Sequence, residues 1–309
     1  MANRYIKQLN IWSESLDSVM MERAEQIACS LKRQGIAVQV AAGIQVAAGM
    51  LAGTEVEAAV GMQIRSAEVE VPEEVRKSLS MKGILWLTDS EHGADKLAAL
   101  QLPVIAWLHE GNRRSSFQNI RYAVEEPQEL DADFFERIYR RYAGIPWDIA
   151  ETARCLIRET TVEDAEAFAG IYEEPAITRY MDSFCTEVCM EREYVKEYIE
   201  KVYDFYGYGV WTVVWKETGE VIGRVGFGLE EIPALGYMIA LPWQGQGLAQ
   251  EVCRAALAFA KEELGFEQVQ ALIHENNLSS IRVVKKLGFS GQERLEEADS
   301  KNIRFTLKL

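Results

Sequence analysis

Apolar residues follow two alternating periods along this chain. From Ser13 to Gln34, Leu16, Val19, Met20, Ile27 and Leu31 fall at roughly helical spacing. This predicts an amphipathic helix that stops at Gly35. Ile36-Ala37-Val38-Gln39-Val40 predicts a strand. Residues 45–61 are rich in Ala and Gly and read as helix or loop; Ala67 to Val71 predicts a short strand, and Pro72 opens a helix through Leu79. The pattern then sharpens. Gly83 to Thr88 predicts a buried strand, Asp89-Ser90 caps a helix to Leu100, and Pro103 to Leu108 is the next strand. A polar loop from His109 to Gln118 precedes a strand from Ile120 to Val124 and a helix from Asp131 through Tyr142. Strands alternating with helices predict a parallel three-layer α/β domain.

Gly144 and Pro146 punctuate the end of that helix. The expected division is a small α/β domain over residues 1–147 and a second α/β domain over residues 148–309. The second opens with a strand from Cys155 to Glu159 and a capping signal, Thr161-Val162-Glu163-Asp164, before a helix from Ala165 to Tyr172. A connector from Ile177 to Phe184 leads to a helix from Glu191 to Phe205. Gly209 to Trp215 and Val221 to Phe227 read as a hairpin turning at Glu217-Thr218-Gly219-Glu220. Further strands are expected over Ala234–Leu241 and Val269–His274, and a C-terminal one from Ile303 closes the sheet.

Composition narrows the classes. Hydrophobic residues make up 48% and charged residues 26%, ordinary values for a globular protein. No apolar run reaches the ~18 residues of a spanning helix, and the N-terminus has no signal-peptide core, so a cytoplasmic protein without membrane contact is expected. A net charge of −15 argues against nucleic acid as partner and is compatible with a cationic acceptor such as an amine. The five cysteines lack paired spacing, and no metal site is expected. Oligomeric state is not legible.

The informative stretch runs from Leu235 to Phe289. A strand leads through Pro242-Trp243 into the small-residue loop Gln244-Gly245-Gln246-Gly247-Leu248-Ala249 and then a long amphipathic helix. Backbone N–H groups at a helix start, with glycines that let an anion approach, make a phosphate site. Gln244-x-x-Gly247-x-Ala249 resembles the pyrophosphate-binding signature of the GCN5-related N-acetyltransferases, the GNAT family. Asn277-x-x-Ser280-x-Arg282-Val283-x-Lys285-Lys286-Leu287-Gly288-Phe289 resembles the block of the branch that acetylates ribosomal-protein N-termini. The likeness spans about Arg154 to Leu309 and implies a GNAT-type mixed-sheet α/β domain.

The resemblance also implies roles. Acetyl-CoA is the co-substrate, and a primary amine, on a protein N-terminus or a small molecule, is the acceptor in a ternary complex. Amides from Gln246 through Ala249 bind pyrophosphate, with Gln244 shaping the loop. Met238, Ile239 and Ala240 offer backbone contacts to the pantetheine arm, with Met238 or Ala240 as oxyanion donor. Asn277 binds coenzyme or an ordered water, and Ser280 is the candidate acid. Relatives often carry an acid where this chain has Ala234, so Glu230 and Glu231 are the candidate bases, with Glu275 as alternative. Tyr180, Phe184 and Trp211 are candidates for the acceptor wall. The alternative function is a non-catalytic acyl-CoA sensor.

The first half faintly resembles part of a haloacid dehalogenase-like domain through Thr88-Asp89-Ser90, Pro103-Val104-Ile105 and Tyr122-Ala123-Val124. The early D-x-D of that family has no counterpart after the strand Ile36–Val40, so phosphatase chemistry is not expected. Thr88, Asp89, Ser90, His109, Glu110, Asn112 and Arg113 are expected at the carboxyl ends of the strands.

Overall fold

The computed structural model describes residues 5–13, 18–42, 83–180, 186–294 and 301–309. The chain divides into two compact units, Met1–Ile145 and Pro146–Leu309.

Unit 1 contains β1 (Gln8–Ser13), α1 (Ser18–Arg33), β2 (Ala37–Ala42), β3 (Ile84–Thr88), α2 (Glu91–Ala99), β4 (Val104–Trp107), β5 (Tyr122–Val124) and α3 (Ala132–Tyr142). Its described strands form one parallel sheet in the order β2-β1-β3-β4-β5. The elements expected over residues 45–79 lie outside the described residues. β1 is a correction: the sequence pattern has no strand before Ser13. Leu9, Ile11 and Trp12 are buried, and so is Asn10 between them. A strand buried on both faces shows no alternation, and its polar residue hides it further. The first strand of the chain is therefore β1, and the strand expected first, at Ile36–Val40, is the second. At the carboxyl ends, Ser13 Oγ donates to Asp89 Oδ2 at 2.7 Å, His109 Nε2 lies 3.5 Å from the same oxygen, and Asn112 Nδ2 donates to the Asp89 and Trp107 carbonyls. Burial pushes the Asp89 carboxyl up, and the Ser13 bond and His109 oppose it. Ser90 caps α2 by accepting from Gly93 N.

Unit 2 contains β6 (Asp148–Glu151), β7 (Cys155–Arg158), α4 (Ala165–Tyr172), a short turn Pro175–Thr178 and α5 (Val188–Tyr198). They are followed by β8 (Val210–Trp215), β9 (Val221–Phe227), β10 (Leu235–Ile239), α6 (Leu248–Glu262), β11 (Gln268–His274), α7 (Leu278–Lys286), β12 (Ser290–Arg294) and β13 (Asn302–Lys308). One antiparallel sheet has the order β10-β9-β8-β7-β6 and another the order β11-β13-β12. The sequence pattern omits β6 and β12. β6 buries only Ile149, and β12 has no large apolar residue, so neither carries a readable period.

The core of unit 2 lies under α6. Leu248, Val252, Cys253, Ala256, Leu257 and Ala260 form its apolar stripe and pack with Val213, Val225, Phe227, Ile239, Val269 and Ala271. Arg224 of β9 engages α4 and α5 instead. Its guanidinium lies 3.5 Å from the Phe168 ring centroid and donates to Tyr172 Oη at 2.6 Å and Glu191 Oε1 at 2.7 Å.

A second buried charge fixes the start of α4. Arg158 grips Asp164 with two bonds of 2.7 Å, while Thr161 N and Thr212 Oγ1 donate to Asp164 Oδ2 at 2.9 Å. Burial alone raises this carboxyl, but the Arg158 bonds and charge outweigh it and hold the group below the usual carboxylate range. Its contribution to stability is therefore complete above the ordinary carboxylate pKa and is lost as pH falls through the lowered folded value. Asp164→Asn leaves the half-buried Arg158 without its anion and is expected to cost about 3 kcal/mol in urea unfolding. The variant should also show a shallower loss of stability on acidification. An unchanged midpoint would remove Asp164 from this account.

Candidate active site

β10 and β11 run side by side in parallel but meet at one bridge, Ala234 with Gln270. Gln270 N donates to the Pro233 carbonyl at 3.0 Å and Gln270 Nε2 to the Ile232 carbonyl at 2.7 Å. Beyond this clamp the strands share no ladder, and a wedge opens toward their carboxyl ends. Pairing with β9 decides which groups face it. Gly228 N donates to the Ala234 carbonyl at 2.9 Å, and Ala240 N donates to the Ile222 carbonyl at 2.8 Å. Hydrogen-bonded positions alternate in an antiparallel pair, so Gly236 and Met238 also turn their polar groups to β9. Leu235, Tyr237 and Ile239 turn theirs to the wedge. This corrects the expected oxyanion donors: the amides of Met238 and Ala240 are committed to the sheet, and those of Tyr237 and Ile239 face the gap.

At the open end, Leu241–Trp243 makes one tight turn and the glycine loop follows. Gln244 Nε2 donates to the Ile239 carbonyl at 2.8 Å, which fastens the loop to β10. Gly245 and Gly247 have φ of 76° and 78°, a left-handed conformation that favours glycine. Gly247 caps α6, so the amides of Leu248 and Ala249 open the first turn of a 15-residue helix. The Leu248 side chain is buried, leaving its backbone as the part available to an anion. Gln246 Nε2 donates to the Pro242 carbonyl at 3.2 Å, and Arg154 Nη2 donates to the Gln246 carbonyl at 3.1 Å. Arg154 also pairs with Glu251 at 2.6 Å. Burial raises the Glu251 carboxyl, but hydrogen bonds from Thr152 and Arg154 hold it below the usual range. The sequence reading missed this brace, because 97 positions separate its partners and neither stands in a recognisable motif.

Across the wedge, Asn277 caps α7. Its Oδ1 accepts from Ser280 N at 3.2 Å and from Ser279 Oγ at 2.8 Å. The Ser280 carbonyl accepts from Tyr237 Oη at 3.1 Å, so a side chain of β10 reaches α7. Burial pushes the Tyr237 phenol well above its ordinary range, which keeps it a donor. Glu230 and Glu231 are exposed in the loop leading into β10, and no contact among the described residues joins them to Asn277 or Ser280. Glu275 lies 3.4 Å from Arg294 in an ion pair.

One acceptor-wall expectation changes. Trp211 is fully buried, edge-on to Phe227 and Phe259, so it belongs to the core. Its strand position puts it on the α6 side, which an aromatic residue in a sequence does not reveal. Phe184 lies outside the described residues. Tyr180 reaches the turn before α7. Its ring stacks on His274 at 5.1 Å, and its hydroxyl donates to the Asn276 carbonyl at 3.2 Å.

Among the described residues no group of side chains is suited to hold a metal ion, and no helix is long and apolar enough to cross a membrane. Residues 154–290 match the acetyltransferase (GNAT) domain family. The uncharacterized protein YkkB of Bacillus subtilis is 32% identical over 43% of this chain and 80% of its own length. The uncharacterized N-acetyltransferase YoaA of the same species is 28% identical over 48% of this chain and 86% of its own. A ribosomal alpha-N-protein acetyltransferase solved in complex with coenzyme A is 15% identical, with a TM-score of 0.46 over 52% of this chain and 98% of that one. Residues 154–290 are thus an acetyltransferase domain, and through it the chain belongs to the GNAT family.

Proposed function

We propose that unit 2 moves the acetyl group of acetyl-CoA directly onto a primary amine held in the same complex. Acetyl-CoA is the co-substrate of GNAT acetyltransferases. The observation that carries the reading is the wedge, with its glycine loop and helix start at the open end and two unspent β10 amides along one wall. Pyrophosphate sits on the amides from Gln246 through Ala249, where the helix dipole favours negative charge. The pantetheine arm runs back along β10 and pairs with Ile239. The thioester then lies deeper, where the Tyr237 amide donates to the oxyanion as the tetrahedral intermediate forms.

The amine nitrogen attacks the carbonyl carbon, the C–N bond forms and the C–S bond breaks. The amine gives up its proton through water to Glu230 or Glu231. Ser280 Oγ gives its proton to the departing thiolate and recovers one from solvent. Asn277 holds Ser280 in place by capping its helix. The acceptor is a protein N-terminus or a small-molecule amine, and Asn277 to Phe289 favours the former through its likeness to the ribosomal-protein branch.

Thiol release from acetyl-CoA with a panel of amines tests the activity. Measurable coenzyme binding with no thiol released by any amine would leave a coenzyme-binding module. Ser280→Ala is expected to lower kcat by about 100-fold while coenzyme Kd stays within twofold. A loss of affinity alone would assign Ser280 to binding. Gly247→Val places a β-branched residue in a left-handed conformation at a strain of about 1–2 kcal/mol, so coenzyme affinity should fall about tenfold. Unaltered affinity would mean that the loop does not hold the pyrophosphate.

A further inference from the structure

His274 is the last residue of β11, three positions before the Asn277 cap. Val269, Ala271 and Ile273 of that strand are buried in the core. Residues alternate across a strand, so Gln270, Leu272 and His274 face the other way. His274 is half-buried there and Leu272 is exposed. The turn that follows is clasped twice. Asn276 N donates to His274 Nδ1 at 3.2 Å, and Tyr180 Oη donates to the Asn276 carbonyl at 3.2 Å. The Tyr180 ring lies over the imidazole, with 29° between planes. Tyr180 and Asn276 are 96 positions apart, so the clasp joins the segment after α4 to the turn that opens α7.

The Asn276 bond fixes the chemistry of the ring. A nitrogen that accepts a backbone N–H carries no proton, so neutral His274 has its hydrogen on Nε2. Nε2 has no partner among the described residues. The ring cannot take a proton at Nε2 in this tautomer, which rules it out as a base through that atom. It can donate.

We propose that His274 is a specificity-determining residue of the acceptor site. Its Nε2–H donates to an oxygen next to the reacting amine, so the preferred substrates carry a carbonyl beside the amino group, as an amino-acid amide or a peptide N-terminus does. Tyr180 holds the imidazole plane, and Asn276 holds the tautomer. The inference rests on the acetyl-transfer reading and narrows its acceptor. A neutral donor selects by hydrogen bonding, so a carbonyl satisfies it without requiring a negative charge.

The test compares alaninamide with isopropylamine, which has a methyl group in place of the carboxamide. The selectivity ratio is kcat/KM for the first over kcat/KM for the second, taken for each variant at one pH so that amine basicity cancels. His274→Phe keeps a ring for Tyr180 to cover but has no N–H. It is expected to lower the ratio about tenfold, the size of one lost hydrogen bond. His274→Gln restores an N–H donor and should recover part of the ratio. Coenzyme Kd checks that each variant is folded. Should His274→Phe fail to bind coenzyme, the glutamine variant is read against His274→Leu instead. A ratio that does not move between wild type and the donorless variant overturns the inference and leaves acetyl transfer standing. If the wild type binds coenzyme but releases no thiol with any amine of the panel, the acetyl-transfer reading itself fails, whereas thiol release with other amines but not with alaninamide overturns the inference alone.

Discussion

The catalytic unit is organised around a break in its own sheet. β10 and β11 are neighbours that pair once, at Ala234 and Gln270, and then part. Backbone groups left along such an edge need partners, from the chain, from water or from a ligand. Each strand is held from its outer side, β10 by β9 and β11 by β13, so neither needs the other to stay extended. Gln270 adds a side-chain bond at the closed end, which keeps the parting from running further up the strands. At the open end Gln244 bonds back to Ile239, and the chain turns straight into α6. The gap therefore ends against a helix N-terminus. A strand edge that offers amides and a helix start that favours anions lie along one path.

The other face of the sheet has buried charge where the α6 face has apolar residues. Arg224 rests on Phe168 and donates to both Tyr172 and Glu191, tying β9 to α4 and α5. Burial, opposed by the Arg224 charge, pushes the Tyr172 hydroxyl up to about 12, so it stays protonated. Such a cluster adds little net stability, because desolvating the ions cancels much of their attraction. Its effect is geometric. A cation with two named partners admits far fewer arrangements of α4 and α5 than an apolar contact of equal area would. Arg158, Asp164 and Thr212 do the same at the start of α4.

What the sequence revealed depended on whether the function of a stretch lay in its backbone or in its neighbours. The loop from Gln244 to Ala249 was legible because two left-handed positions demand glycine, and glycine spacing is visible in a string of letters. Asn277 stood out through its motif as a ligand of coenzyme or water, and the folded chain shows it as the cap of α7. The choice among Met238, Ile239 and Ala240 was not, since it turns on parity. The bond from Gly228 to Ala234 sets which residues of β10 face β9, and no residue of β10 records that register. Trp211 was misplaced for the related reason that a strand has two faces and an aromatic suits either. β1 was hidden by Asn10, a buried polar residue inside an otherwise apolar run.

The two sides of the site thus leave unequal records. The donor side is built almost wholly of backbone, and its parts follow one another between Leu235 and Ala249. A coenzyme that is the same in every reaction can be held that way, because amides do not vary with the side chains around them. The proposed acceptor side draws on Tyr180, His274 and the turn at Asn276, which the fold brings together from segments nearly a hundred positions apart. In that proposal specificity comes from side chains, and a tautomer fixed by one backbone N–H decides what the histidine can recognise. Pattern alone therefore identifies the donor of such an enzyme well before its acceptor. The acceptor becomes legible only once the folded chain shows which polar atom has been left unspent.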